Sequence, residues 1–370
     1  MSTLIIFLIV IIVLVVAHEL GHFFVAKFFG VRVDEFGLGY PPRAKKLFTW
    51  KGTLFTLNWL PFGGFVKIFG EDGTETGIKH YSDSFSHQKL WKRLLILVAG
   101  ILANIILAMV LYSASFAIGF LGSASDFPNA HIISPQQVTI TDVEKGTPAF
   151  AAGLQVSDKI ISLSTDSSAT TAPYIPQSTD DFVQFIQSHP NDPISLTISR
   201  NNQPQVVTVT PQKNLVGNQP GIGVGIYETG LLRMPFFQSF SAGFMYALNE
   251  FILIIVSLWG LIVGIFSGNG GVVSQLSGPV GIAKFAGQAY SLGIGSLLSF
   301  MALISVNLAV VNLLPFPALD GGRMVLEFFS YKGKNRISPK IIAAINQIGF
   351  LILIVLMLWI TYHDIFHPMQ

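Results

Sequence analysis

Cysteine is absent from all 370 residues, which rules out disulfides and removes thiolate from the available metal ligands. Any bound metal must be held by His and carboxylate. Charge is nearly as scarce: Asp, Glu, Lys and Arg make up 11% of the chain, less than half the ~25% of a soluble globular domain. The formal net charge is only +2 and no Lys/Arg tract or basic-aromatic patch occurs, so nucleic acid is excluded as a partner. What remains is apolar. Hydrophobic residues account for 51% of the chain and mean hydropathy is +0.59, the composition of a protein surrounded by lipid.

Crossing a bilayer takes about 20 apolar residues. Stretches of that length run over 3–24, 94–120, 292–314 and 341–362. A fifth, 244–266, carries Asn249 and Glu250 near its start and reads as an interfacial or re-entrant helix. Positive charge orients the spans. Residues 24–93 hold eleven Lys/Arg and the short loop 323–340 holds five, against five in the longer 119–235. Cytoplasmic loops are the basic ones, so 24–93 and 323–340 face the cytoplasm and both termini lie outside. A removable signal peptide fits the first run poorly: no basic residue precedes it and no small-residue cleavage site follows.

The expected fold is therefore an α-helical polytopic membrane protein of about four transmembrane helices. They are 1–26, 94–120, 290–322 and 341–362, with an amphipathic or interfacial helical region at 230–285. Within cytoplasmic 27–93, alternation at 53–59 and 65–68 reads as short antiparallel strands, turned at Gly63-Gly64. Such a hairpin is either a small surface feature or a membrane-abutting sheet whose edge pairs with an extended substrate. Residues 125–215 turn soluble, with strands expected at 138–143, 159–163, 194–199 and 205–210 and a helix at 179–187. The string from Gly146 to Leu154, followed by Val156 to Ile161, resembles the small-residue helix and following strand of a PDZ domain. Such domains take extended peptides or C-termini by adding a strand. The Ser/Thr-rich loop 164–178 interrupts it.

The chemistry sits in the first span as His18-Glu19-Leu20-Gly21-His22. His-Glu-x-x-His on a helix puts two imidazoles one turn apart on one face, suited to one zinc ion with the Glu as general base. A single buried histidine is more often a hydrogen-bonded core residue; two plus a carboxylate at membrane depth point to function. A second polar segment reads Asn312-Leu313-Leu314-Pro315-Phe316-Pro317-Ala318-Leu319-Asp320-Gly321-Gly322. Its prolines open the helix, and open backbone at membrane depth belongs where it lines a site. Asp320 suits a third zinc ligand or, alternatively, caps a helix starting at Gly321. Asn312 is placed to hydrogen-bond substrate backbone or a developing oxyanion.

Together with Gly63-Gly64-Phe65-Val66-Lys67 and the string from Ser277 to Ile282, these motifs resemble the site-2 protease family of intramembrane zinc metalloproteases, in particular its bacterial RseP type. The resemblance covers essentially the whole chain. It implies one catalytic zinc on His18, His22 and Asp320, with Glu19 catalytic and Asn312 contacting substrate. It also implies a membrane-associated β-loop whose Gly64, Phe65, Val66, Lys67 and Ile68 meet the substrate. The implied substrates are transmembrane segments of single-span proteins, such as anti-sigma factors or remnant signal peptides, cut after a first cleavage elsewhere. The implied setting is the bacterial inner membrane. Only one PDZ-like unit is found, where some members carry two. Two other readings stay open. One is a catalytically inactive PDZ-bearing scaffold of the same fold, which gives no reason to keep Glu19. The other is a metal transporter, which lacks further polar spans.

Overall fold

The computed structural model describes residues 3–71, 81–124, 126–134, 136–165, 173–200, 203–216, 219–267, 278–332 and 339–366. Ser277, residues 166–172 of the Ser/Thr-rich loop, and Lys334 and Arg336 of the basic loop lie outside them. In chain order, the elements begin with α1 (Thr3–Phe28), β1 (Val33–Trp50), β2 (Thr53–Ile68) and α2 (Leu90–Ile118). Next come β3 (Phe120–Gly122), β4 (His131–Ile132), β5 (Gln137–Val143), α3 (Pro148–Ala151), β6 (Lys159–Ser164) and α4 (Thr179–Ser188). Then follow β7 (Ile194–Arg200), β8 (Gln203–Val209), β9 (Gln212–Val216), β10 (Gln219–Gly221) and β11 (Val224–Arg233). The chain finishes with α5 (Phe236–Phe266), α6 (Pro279–Ser291), α7 (Ile294–Leu313), α8 (Asp320–Lys332) and α9 (Pro339–Phe366). These form two compact units, one of Met1–Ser115 with Phe237–Met369, the other of Phe116–Phe236.

In the first unit, α1 is apolar on all sides, as a helix bathed in lipid and packed on neighbours must be. Gly30, at φ +74, closes it: the Val31 amide returns to the Ala26 carbonyl, a left-handed C-terminal cap. Among the described residues five helices are long and apolar enough to cross a membrane: α1, α2, α5 (over Phe236–Leu261), α7 and α9 (over Ile341–Tyr362). The interfacial or re-entrant reading of 244–266 meets a continuous 31-residue helix that runs unbroken through Asn249 and Glu250.

The hairpin differs from expectation. Its reversal is at Lys51-Gly52, both with positive φ (44° and 76°), as a tight two-residue hairpin turn demands. Segments 54–57 and 64–68 of β2 run in opposite directions, as expected of strands joined near Gly63-Gly64, where Gly63 has φ +90. They do not pair with each other: 54–57 runs alongside 35–38 in the same direction, and 64–68 runs against 33–38. Both strands curl, so Leu38 pairs with Gly64 on one side and Leu57 on the other. The start of β1 is thereby central, and the tail of β2, 64–68, forms an edge. Phe23 of α1 meets Phe36 and Phe55 of the hairpin edge-on at 5.8 and 5.7 Å, fixing that sheet to the helix.

The second unit is a seven-stranded antiparallel sheet in the order β3-β11-β5-β6-β7-β8, with β4 on β11. The strands expected at 138–143, 159–163, 194–199 and 205–210 and the helix expected at 179–187 are found as β5, β6, β7, β8 and α4. Ser178 caps α4 by accepting from the Asp181 amide, and Phe182 and Ile186 of that helix share a core with Ile140, Leu163 and Leu196 of the sheet. The unit extends beyond 125–215, because β11 carries the central pairing to both β5 and β3. Asp158, 1% exposed, receives Arg200 through Nε at 2.7 Å and Nη2 at 2.6 Å. That hydrogen bond holds the Arg200 guanidinium above its ordinary pKa. Arg200→Ala would leave the buried carboxylate with only the Gln155 amide as donor, at a cost of about 3 kcal/mol; denaturant titration of the full chain, followed by proteolysis within 116–236, measures it.

Candidate active site

The long apolar α1 presents His18 and His22 on one face, both buried. Asp320 reaches the same point from the first turn of α8. The path to it is tightly built. After α7 ends at Leu313, Ala318 adopts a left-handed conformation at φ +74, strained for a residue with a Cβ. A Cβ on Gly321 would strike the Leu313 and Leu314 carbonyls, and one on Gly322 the Phe316 carbonyl. Asp-Gly-Gly is thus the sequence that lets α8 start hard against the end of α7. Asp320 is the first residue of α8, one position before the expected start at Gly321, and its carboxylate faces the two histidines.

His18 Nε2 and His22 Nε2 are 3.2 Å apart, and each lies close to Asp320 Oδ2, at 3.2 and 3.3 Å. Ligands about 2.05 Å from a tetrahedral zinc stand about 3.3 Å from one another. Asp320 Oδ2 is buried, and beyond the two imidazole nitrogens it has no hydrogen-bond partner among the described residues, an arrangement that suits a cation shared by the three atoms. This cluster is the one group of three or more His, Asp or Glu among the described residues with metal-binding spacing. Three protein ligands leave a fourth tetrahedral position for water or substrate, as in catalytic zinc sites.

One cavity of about 570 Å³ joins the sequence-predicted residues. His18, Glu19, His22 and Asp320 line it, as do Asn312 and all of Gly64, Phe65, Val66, Lys67 and Ile68. The edge segment of β2 runs close along α1: a Cβ on Gly64 would stand 3.6 Å from both Glu19 Cγ and Val15 Cγ1. Arg323, one turn beyond Asp320, forms an ion pair with Glu71 just past β2, and both also line the cavity.

Several contributors went unnoticed in the sequence, and most lie on α2. The His22 Nδ1–H donates to the Ile96 carbonyl at 2.8 Å, the outer hydrogen bond that orients a metal-ligating imidazole. A Cβ on Gly100 would collide with His22 Nε2 and His18 Cε1, so both rings lie directly on the helix backbone there. Gly21 makes the reciprocal approach to the Ala99 carbonyl. The available signal was a glycine and an asparagine, Gly100 and Asn104, inside an apolar span. Gly100→Ala is expected to displace the ligand rings and weaken zinc binding by about 10-fold or more, measured by competition against a chromophoric chelator.

The chain matches the model of peptidase family M50 over residues 6–356. It is 35% identical over 358 residues to a candidate zinc metalloprotease of Clostridium perfringens, with 96% of each chain covered. It is 28% identical over 444 positions to zinc metalloprotease RasP of Geobacillus kaustophilus, covering 99% of this chain and 98% of that one. Its identity to the candidate protease Eep of Enterococcus faecalis is 28% over 446 positions, with 99% of both chains covered.

Proposed function

The chain belongs to peptidase family M50, and from that premise we propose that this intramembrane zinc metalloprotease cuts the transmembrane segments of single-span membrane proteins whose outer domains have already been removed. The observation that carries the proposal is the edge of β2 lying beside Glu19, in a cavity that also holds the two histidines and Asp320. Anti-sigma factors and remnant signal peptides are the substrate classes in view.

Zinc, when held by His18, His22 and Asp320, supplies Lewis-acid polarisation of the scissile carbonyl and of water. Glu19 takes the proton of the attacking water and returns it to the leaving amine, so that the C–O bond forms as the C–N bond breaks. Asn312 offers its amide N–H to the substrate carbonyl as negative charge develops there. A transmembrane helix hides its scissile bonds in its own hydrogen bonds, so it must unwind first. Pairing with 64–68 returns backbone hydrogen bonds to the unwound segment, each worth about 1 kcal/mol net. His18 lies about 22 Å along α1 from Thr3, which puts the chemistry in the cytoplasmic third of a ~30 Å hydrocarbon core. The test is a reconstituted single-span substrate, offered with and without its outer domain and with a helix-weakening Gly-Pro pair in its apolar segment. Faster cleavage of the truncated, weakened form is expected; equal cleavage of all forms would sink the proposal.

The protein is a multi-pass membrane protein. We read it as an inner-membrane enzyme with both termini and the second unit extracytoplasmic, the second unit being PDZ-like and binding an extended peptide or C-terminus. Contacts within the first unit support four crossings rather than five. Gly281 N donates to Asp364 Oδ2 near the end of α9 at 2.9 Å, and a Cβ on Gly287 would meet Thr3 at 2.8 Å. With both termini outside, Gly281 and Gly287 of α6 lie near the outer ends of α9 and α1. Gly243, early in α5, lies against Ser113 near the outer end of α2. The lack of native cysteine makes a single label clean: Ser267→Cys is expected to react with an impermeant maleimide on intact cells. Labelling only after permeabilisation would establish α5 as a fifth span.

A further inference from the structure

We propose that Asn104 is a positioning residue for the metal site: its amide oxygen accepts from His18 Nδ1–H and holds that imidazole with Nε2 toward the zinc. The inference rests on the reading of His18, His22 and Asp320 as ligands. Ile96, Gly100 and Asn104 recur every four residues along one face of α2, and each touches the histidine pair. Ile96 takes the outer proton of His22, Gly100 lies under both rings, and Asn104 stands 3.2 Å from His18 Nδ1. Asn104 is fully buried, and Ser305 of α7 donates to its backbone carbonyl at 2.8 Å. That bond ties the position to the helix that leads into Asp320.

The orientation of the amide follows from the chemistry of the ring. Among the described residues Asn104 Oδ1 is buried without a partner while Nδ2 faces His18; side-chain amide O and N are assigned from their surroundings rather than from shape. His18 Nε2 points at Asp320 and His22, and a ligating Nε2 must offer its lone pair. Its proton therefore resides on Nδ1. An NH₂ against an N–H repels, whereas the oxygen of the exchanged amide accepts. The two histidines then each have an outer acceptor supplied by α2, one a backbone carbonyl and one a side chain. Outer partners of this kind fix tautomer and ring angle and raise ligand basicity.

The test measures zinc affinity by chelator competition on full-length purified protein, alongside the melting of the zinc-free form. Asn104→Leu keeps the volume and removes the acceptor; Asn104→Asp keeps the volume and an acceptor. The expected result is a loss of about 10–100-fold in affinity for Leu with unchanged melting of its zinc-free form, and near wild-type affinity for Asp. The visible spectrum of the cobalt-substituted Leu variant should shift, that of the Asp variant should not. Wild-type affinity in Asn104→Leu overturns the proposal. So does an Asp variant that folds yet binds as weakly as Leu. If the Leu protein does not fold, Asn104→Ala is judged by the same criterion. His18→Ala serves as the separate control: if it binds zinc like wild type, the ligand assignment fails rather than the role of Asn104.

Discussion

Glu19→Gln is expected to abolish cleavage of a membrane-embedded substrate, by about 100- to 10,000-fold, with zinc content unchanged. The substitution is nearly isosteric and the side chain is not one of the three clustered ligands, so the metal site should survive. What disappears is the group that accepts a proton from water and delivers it to the amine. Glu19 lines the same cavity as those ligands and lies against Gly64 of the β2 edge, the flank along which an extended peptide would meet it. Time courses in proteoliposomes, with metal analysis of the same samples, measure both quantities. Cleavage at the wild-type rate would remove Glu19 from the mechanism.

Asp320→Ala should do the opposite to the metal. It removes the single oxygen that completes the ligand face, 3.2 and 3.3 Å from the two histidine nitrogens. Loss of an outer partner costs about 10–100-fold in affinity, so loss of a ligand itself should exceed about 100-fold. The purified variant should carry little zinc and cleave nothing. Chelation of the wild type should reproduce its inactivity, and added zinc should restore the chelated wild type alone. Retention of tight zinc by Asp320→Ala would assign the third ligand elsewhere.

Much of this architecture was legible because lipid and metal chemistry each restrict the sequence so severely. Unbroken apolar runs announce α1, α2, α7 and α9. Two imidazoles and a carboxylate inside such a run are too costly to bury in lipid unless they serve a site. In the second unit the expected strands at 138–143, 159–163, 194–199 and 205–210 and the helix at 179–187 match β5, β6, β7, β8 and α4. The parts that stayed hidden depend on contacts between distant segments. Nothing local shows that the start of β1 lies between 54–57 and 64–68; the pairing of Leu38 with both Leu57 and Gly64 decides it. β11 reads as a weak, glycine-bearing stretch, and its place beside β5 and β3 comes from pairing across about 85 to 110 residues. The role of α2 was masked for the same reason. Gly100 and Asn104 acquire meaning only when two histidines some eighty residues earlier lie on them.

An intramembrane protease differs most directly from a water-exposed one in where the peptide bond is broken. The decisive measurement is mass spectrometry of both fragments from a single-span substrate cut by zinc-loaded wild type in liposomes, with Glu19→Gln as the blank. Cleavage inside the apolar segment, toward its cytoplasmic end and absent from the blank, is the predicted result. Fragments ending only in the water-exposed flanks, or produced equally by Glu19→Gln, would contradict an intramembrane site built from His18, Glu19, His22 and Asp320.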